Sequence, residues 1–179
     1  MRSEQAQVVV RANIQVGGTN HLIYTRALGE LASAGITGAR EELRALARQD
    51  NTEAVRELIG VADIEGLAQA GSESATVALK ELASVGSERA VKVFIDRRDV
   101  SALESLAAQI PAAHAALVDL ATARNEDALA ALARMKDVPG LVAASKAEVN
   151  AARTHLMILA NEGNPEAQAA IWNFLTERS

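Results

Sequence analysis

Three aspartates recur at matching places along the chain, and their spacing raises the question of a metal site. Asp63, Asp99 and Asp137 each open a short apolar segment, in the sequences DIEGL, DVSAL and DVPGL. Carboxylates bind hard metal ions, but an aspartate just before a helix also caps the free N–H groups of the first turn. Pro139 falls in such a first turn, where a missing N–H costs little. Capping accounts for all three aspartates, so we expect no metal site and no cofactor.

The histidines and the known catalytic motifs give no catalytic constellation. His21, His114 and His155 are neither i, i+4 neighbours nor part of a ligand cluster. The chain has no cysteine, which removes disulfides, thiolate zinc sites and cysteine nucleophiles. The sequence also lacks a nucleophile elbow, a phosphate-binding loop and a dinucleotide fingerprint. We therefore expect a protein that is not an enzyme and has no catalytic residue.

The composition favours an acidic helical protein. Hydrophobic residues make up 49% of the 179 residues but aromatic residues only 2%, so a core must be built from Ala, Leu, Ile and Val. The bias towards Ala, Leu, Glu and Arg favours helix. A net charge of −5 opposes nucleic-acid binding, which needs a basic surface. No apolar run reaches membrane-spanning length, so we expect no membrane insertion and a cytoplasmic location.

A leucine–alanine pair returns at a nearly constant interval and defines a repeating unit. Leu46, Leu82, Leu120 and Leu159 are separated by 36, 38 and 39 residues. An alanine stands seven residues before and eight residues after each of these leucines, and another leucine stands three residues before it. Offsets of −7, −3 and 0 form one face of an α-helix. Each unit is therefore predicted to contain a long helix with Leu82 and Leu120 buried, whereas Glu65 is predicted to be exposed.

Two shorter helices are predicted to complete each unit. The first opens at a capping residue five positions after the leucine. These capping residues are Asn51, Ser87, Asn125 and Asn164. The second shorter helix opens at the aspartates described above. The result is three helices in roughly 38 residues.

The N-terminal part is predicted to be a degenerate copy of the unit. The predicted helices are residues 3–16, 19–25, 26–34 and 37–48. Ile14 would occupy the leucine position of the first of these helices. The propensities of residues 8–14 also suit a strand.

The C-terminal part is predicted to be a terminal helix over residues 164–178. It contains Trp172 and Phe174, two of the four aromatic residues of the chain. A terminal helix in a repeat array must cover the last open core face, so these side chains are predicted to close the end. A dimer contact is the alternative.

These segments resemble armadillo repeats over nearly the whole chain, residues 3–178. The family pattern runs from Gly-Asn-Glu through an Ile/Leu-Pro-x-Leu-Val segment to a long helix ending Ala-Leu-x-Asn-Ile/Leu-Ala. Its counterparts here are GNPE at 163–166, VPGLV at 138–142 and LMILA at 156–160. HEAT repeats share the Ala/Leu positions with two helices per unit, so the three-segment count favours armadillo.

The resemblance implies an all-α fold: a right-handed α-solenoid of about four armadillo-like three-helix units, including degenerate end copies. It would form a single domain over residues 1–179. The approximate units are 3–49, 50–85, 86–124 and 125–162, followed by the capping helix at 164–178.

The resemblance also implies a concave groove, lined by the long helices, that binds an extended peptide. The family's groove asparagine and groove tryptophan positions fall four residues apart, and only Asn13 keeps a family residue. The side-chain ladder that reads nuclear-import signals is therefore absent. The predicted partner-binding residues are Asn13, Glu41, Ala45, Val77, Glu81, Ala115, Asp119, Thr154 and Ile158.

Three of these predicted groove residues are acidic and fall on successive units. Glu41, Glu81 and Asp119 would be about 10 Å apart, the packing distance of helices. This is too far for paired-carboxylate catalysis, but it suits basic side chains along an extended partner. An ordinary solvated face is the alternative. The basic residues nearby, which make the predicted groove mixed in sign, are Arg40, Arg44, Lys80 and Arg153.

The predicted function is a non-catalytic scaffold whose concave face binds a protein or an extended peptide. We expect a monomer or a weak homo-oligomer formed through the terminal helices. One alternative is a HEAT-like protein that assists or carries out an enzymatic step of the lyase or glycosylase type. Another is a self-assembling structural repeat array.

Overall fold

The structure, a computed structural model, describes residues 19–176. The secondary structure of these residues consists of twelve α-helices. The first six are α1 (Thr19–Ser33), α2 (Thr37–Arg48), α3 (Thr52–Gly60), α4 (Ile64–Ala70), α5 (Glu73–Ser84) and α6 (Glu88–Arg97). The others are α7 (Val100–Ala107), α8 (Pro111–Thr122), α9 (Glu126–Arg134), α10 (Val138–Lys146), α11 (Asn150–Asn161) and α12 (Pro165–Thr176). The all-α prediction is confirmed for these residues.

The chain divides into two compact units, residues 1–82 and 83–179, with the boundary inside α5 after Leu82. In the first unit, α1 packs on α2 and α3, and α4 packs on α2 and α3. In the second unit, α8 packs against α7, α9 and α10, while α11 packs against α10 and α12. Each unit therefore has its own set of helix–helix contacts.

Three times along the chain a long helix is followed by two shorter ones, called the intermediate and the short helix from their order in the chain. The long helices α2, α5, α8 and α11 each have 12 residues. The predicted caps of the intermediate helices are confirmed: Asn51, Ser87, Asn125 and Asn164 each accept a hydrogen bond from the N–H three residues on. Asp63, Asp99 and Asp137 cap the short helices in the same way.

The buried line of the long helices is displaced from the predicted one. Leu82 and Leu120 are only half-buried, so the prediction that both are buried is wrong. In α5 the fully buried residues are Ala75, Leu79 and Ala83, spaced four residues apart. Because four residues turn the chain by about 400°, this line is centred on Leu79, and Leu82 lies about 60° to one side.

The segment before α2 forms one helix and not the two predicted at 19–25 and 26–34. Tyr24, Leu28 and Ala32 are all buried, and their four-residue spacing gives α1 one continuous apolar stripe. The Thr25 hydroxyl donates to the carbonyl of His21 at 3.0 Å, so this threonine lies within the helix and does not end it. The predicted segment at 3–16 lies outside the described residues.

The terminal helix α12 buries far less than predicted. Ala167 is its buried residue, Phe174 is half-exposed and Trp172 is 68% exposed. The expectation that Trp172 covers the core is therefore wrong. α12 packs on α11 through the face that carries Ala167, and Trp172 lies five residues further along, which places it on the opposite side.

Candidate functional site

The predicted groove residues within the described part lie on outward faces of the long helices. Seven of them are exposed and Ala45 is half-buried. They form i, i+4 pairs, which share one face of a helix. The pairs are Glu41 and Ala45 on α2, Val77 and Glu81 on α5, Ala115 and Asp119 on α8, and Thr154 and Ile158 on α11. Asn13 lies outside the described residues.

An open groove of about 440 Å³ lies between α3 and α5 in the first unit. Its apolar wall combines Val55 and Ile59 of α3 with Val77 and Ala78 of α5. Val77 is 50% exposed. Two of the predicted residues, Val77 and Glu81, line this groove, whereas Glu41 and Ala45 of the same unit do not.

The rim of this groove carries more acidic than basic side chains. The charged residues that line it are Asp50, Glu73 and Glu81, which are acidic, and Arg56, which is basic. Arg56 already donates to Glu53, with its Nη1 at 2.6 Å from Oε2. The negative charge therefore exceeds the positive charge at the rim.

Asp50 is fixed in place by the start of α5. Its Oδ1 accepts hydrogen bonds from the N–H of Ser74 at 3.0 Å and from the Ser74 hydroxyl at 2.6 Å. These bonds, the hydroxyl bond above all, lower the pKa of Asp50. Asp50 has a φ of 62° at the end of α2. Asp50 could not be identified from the sequence, because its partner Ser74 is far away in the chain.

Two of the basic residues predicted near the groove are engaged in contacts between helices. Arg44 of α2 donates to both carboxylate oxygens of Asp63, from Nε at 2.7 Å and from Nη2 at 2.8 Å. Arg153 of α11 donates from Nε to the buried hydroxyl of Ser145, at 3.1 Å. The ion pair with Asp63 neutralises Arg44, so the mixed sign predicted from the sequence overstates the positive charge that Arg44 offers a partner, whereas the bond to a neutral hydroxyl leaves the charge of Arg153 in place.

A second capping aspartate also contacts a long helix. His114 of α8 lies with its Nε2 at 2.6 Å from Oδ2 of Asp137. The other oxygen of this carboxylate accepts the N–H of Gly140, which is the capping bond. The pair thus joins the start of α10 to α8, a structural role.

The residue three positions after a capping aspartate depends on whether the carboxylate only caps its helix or also contacts a long helix. It is glycine where the aspartate also contacts a long helix, at Gly66 and Gly140. An added Cβ at either glycine would lie too close to Oδ2 of its aspartate. After the remaining capping aspartate, Asp99, the corresponding residue is Ala102. Among the described contacts, Asp99 accepts only the capping hydrogen bond, from the N–H of Ala102. The glycine therefore leaves room for the second contact.

A depression of about 520 Å³ lies at the end of the second unit, among α10, α11 and α12. Its apolar lining is Met157, Ile171, Phe174 and Leu175. Arg153 and Lys146 provide positive charge beside it. Phe174 was predicted to close the core, but it lines this open surface.

Within residues 19–176 no cluster of three or more histidine, aspartate and glutamate side chains is arranged to hold a metal ion. In the same part of the chain, no helix combines the length and the apolar character needed to cross a membrane. Comparisons of the chain with protein-family models, with curated proteins and with solved structures find no match.

Proposed function

We propose that this chain is a non-catalytic, armadillo-type scaffold that binds an extended protein segment along outward faces of its long helices. The main support for this proposal is the groove of the first unit, in which Val77 belongs to the apolar wall and Glu81 to the acidic residues of the rim. The recurrence of one long helix followed by two shorter ones supports the armadillo assignment over a two-helix repeat.

The lining of the groove defines the chemistry of its partner. Ile59 and Val77 are the lining residues that offer accessible apolar surface to an aliphatic or aromatic side chain, and burial of such a side chain gives the main favourable term in association. Glu73 and Glu81 stand at the rim, where rim charges set association rate and specificity. The proposed partner is therefore an extended segment with an apolar residue flanked by lysine or arginine.

The test is a peptide-array screen followed by fluorescence anisotropy of the best binders. Arrays should enrich peptides with an apolar residue between basic residues over their acidic counterparts. Val77→Asp should weaken binding of the selected peptide by about tenfold or more, because it places a charge in the apolar wall. Glu81→Lys should weaken binding about two- to fivefold, and the loss should shrink at high salt.

A matched charge reversal elsewhere in the same unit provides the control. Glu30 is exposed on α1 and does not line the groove, so Glu30→Lys should bind the peptide as the wild type does. The double variant Glu81→Lys, Asp119→Lys extends the test to Asp119, the acidic residue predicted to bind the partner on α8. The proposal fails if arrays show no preference for basic peptides, or if Val77→Asp and Glu30→Lys bind them equally well.

A further inference from the structure

The depression at the end of the second unit exposes positions that are covered elsewhere in the chain. Ile171 stands seven residues after the capping residue Asn164 and is only half-buried. The residues at the same offset in α3, α6 and α9 are Leu58, Phe94 and Leu132, each 0% exposed. Ile171 is therefore a large apolar side chain at a core position, but it is less buried than its counterparts.

Met157 on α11 shows the same difference. It is 56% exposed, whereas Arg44 of α2 and Val118 of α8, at the matching positions of their helices, are partly covered. The cover is a short helix. An added Cβ at Gly66 of α4 would lie 2.8 Å from Nε of Arg44, and one at Gly140 of α10 would lie 3.1 Å from Cγ2 of Val118.

No short helix follows α12 within the described residues. The other intermediate helices give way to a capping aspartate twelve residues after their own cap, at Asp63, Asp99 and Asp137. At that offset from Asn164 stands Thr176, a threonine in place of the aspartate and the last residue of α12. The depression therefore corresponds in position to the surface that a short helix covers at Arg44 of α2 and at Val118 of α8.

The charge beside the depression matches the start of such a helix. Arg153 stands at the third residue after the start of α11, as His114 does in α8. His114 contacts the carboxylate of Asp137, the cap of the short helix that covers α8. A guanidinium in that position is a better partner for a carboxylate than an imidazole, since it is always charged and offers several donors.

We propose that this depression binds a short helix of a partner polypeptide that opens with aspartate, has glycine or alanine three residues later and leucine next. The aspartate contacts Arg153, as Asp137 contacts His114. The small residue passes over Met157, and the leucine packs on Ile171. The site is separate from the groove of the first unit, and it stands whether or not that groove binds a peptide.

The chain itself supplies the probe for the test. A blocked synthetic peptide with the sequence of residues 136–146, KDVPGLVAASK, carries all three features. Titration of the isotope-labelled protein, followed by NMR, should show saturable shifts at Arg153, Met157 and Ile171 below about 1 mM peptide, the affinity range of small contacts. A peptide with asparagine in place of aspartate keeps the helix cap but should bind up to about fivefold more weakly, because it loses an ion pair.

Protein variants show whether the peptide binds as proposed. Arg153→Gln should bring the affinities for the aspartate and asparagine peptides to about the same value, since the pair then has no cation. Met157→Glu should abolish the shifts. Ala169→Glu, an equally exposed change on α12 that does not line the depression, should leave them unchanged.

Three results would overturn the proposal. The first is an absence of saturable shifts, or shifts confined to other helices. The second is a preference for aspartate that survives Arg153→Gln. The third is self-association, detected by sedimentation, that Met157→Glu removes and the peptide does not compete with, because the face would then belong to a second copy of the chain.

Discussion

Arg44 binds both carboxylate oxygens of Asp63, from Nε to Oδ2 at 2.7 Å and from Nη2 to Oδ1 at 2.8 Å. Oδ1 also accepts the N–H of Gly66 at 3.0 Å, so one carboxylate caps α4 and ties it to α2. Burial on its own raises the pKa of Asp63, but the hydrogen bonds from Arg44 and Gly66 outweigh it and the pKa lies below its ordinary value. The same pair raises the pKa of Arg44, chiefly through the hydrogen bond to Asp63.

Asp63→Asn should lower the free energy of unfolding by about 1–3 kcal/mol at neutral pH, because it removes a charge-assisted pair and keeps the cap. The pKa of Asp63 is lower in the folded chain than in the unfolded chain. The stabilisation is therefore present above the unfolded pKa, near 3.9, and is lost as pH falls through the folded value. Urea unfolding from pH 7 down to about pH 2 should show the wild type and the variant converging below about pH 4.

Asp99→Asn is the matched control for this change. Asp99 caps α7 through the N–H of Ala102, at 3.0 Å, and asparagine caps about as well as aspartate. Its effect at pH 7 should stay within about 0.5 kcal/mol. Equal losses from the Asp63 and Asp99 variants would show that the contact with Arg44 adds nothing to the cap.

The caps could be predicted from the sequence because they are local. Asn51 and Ala54, for instance, are three residues apart, and the residue type alone identifies the bond. The second partners of Asp63 and Asp137 could not be predicted, since they depend on which turn of another helix faces the carboxylate. In the first unit this is Arg44 in the second turn of α2, whereas in the second unit it is His114 in the first turn of α8.

The candidate site was predictable in its helices but not in its boundaries. The armadillo resemblance selected Val77 and Glu81, and both are exposed on α5 and line the groove of the first unit, while their role in binding stays a prediction. The opposite wall comes from α3, through Ile59 and Arg56. No pattern within α5 reports which helix stands beside it, so these residues could not be found from the sequence.

The displaced core line predicts unequal effects of two leucines on the same helix. Leu79→Ala should cost about 2–5 kcal/mol of unfolding free energy, because this fully buried side chain leaves a cavity. Leu82→Ala should cost about 1–1.5 kcal/mol, roughly half of the transfer term, because Leu82 is half-buried. Denaturant unfolding of the two variants measures the difference. Equal costs would restore Leu82 to the centre of the buried face.

Gly66→Ala should destabilise the chain even though alanine is the better helix former. The new methyl group would lie 2.8 Å from Nε of Arg44 and against Oδ2 of Asp63, and separating them should cost about 1–3 kcal/mol. Gly60→Ala serves as the control, since Gly60 is exposed at the end of α3 with nothing within 4 Å of an added Cβ. That change should stabilise by about 0.5–1 kcal/mol. Thermal unfolding compares the two variants. If both substitutions change the stability in the same direction, the close packing at Gly66 is contradicted.

Ala62, two residues after the last residue of α3, has a left-handed backbone conformation with φ of 52°. Alanine pays a steric cost there of about 1–2 kcal/mol that glycine avoids, whereas glycine loses more backbone entropy on folding. The first effect is the larger, so Ala62→Gly should stabilise the chain by about 0.5–1 kcal/mol in urea unfolding. Ala123 ends α8 with φ of −79° and is also exposed, so the same substitution there should destabilise by about 0.5–1 kcal/mol. If Ala62→Gly and Ala123→Gly shift the midpoint in the same direction, the left-handed turn after α3 is not present in solution.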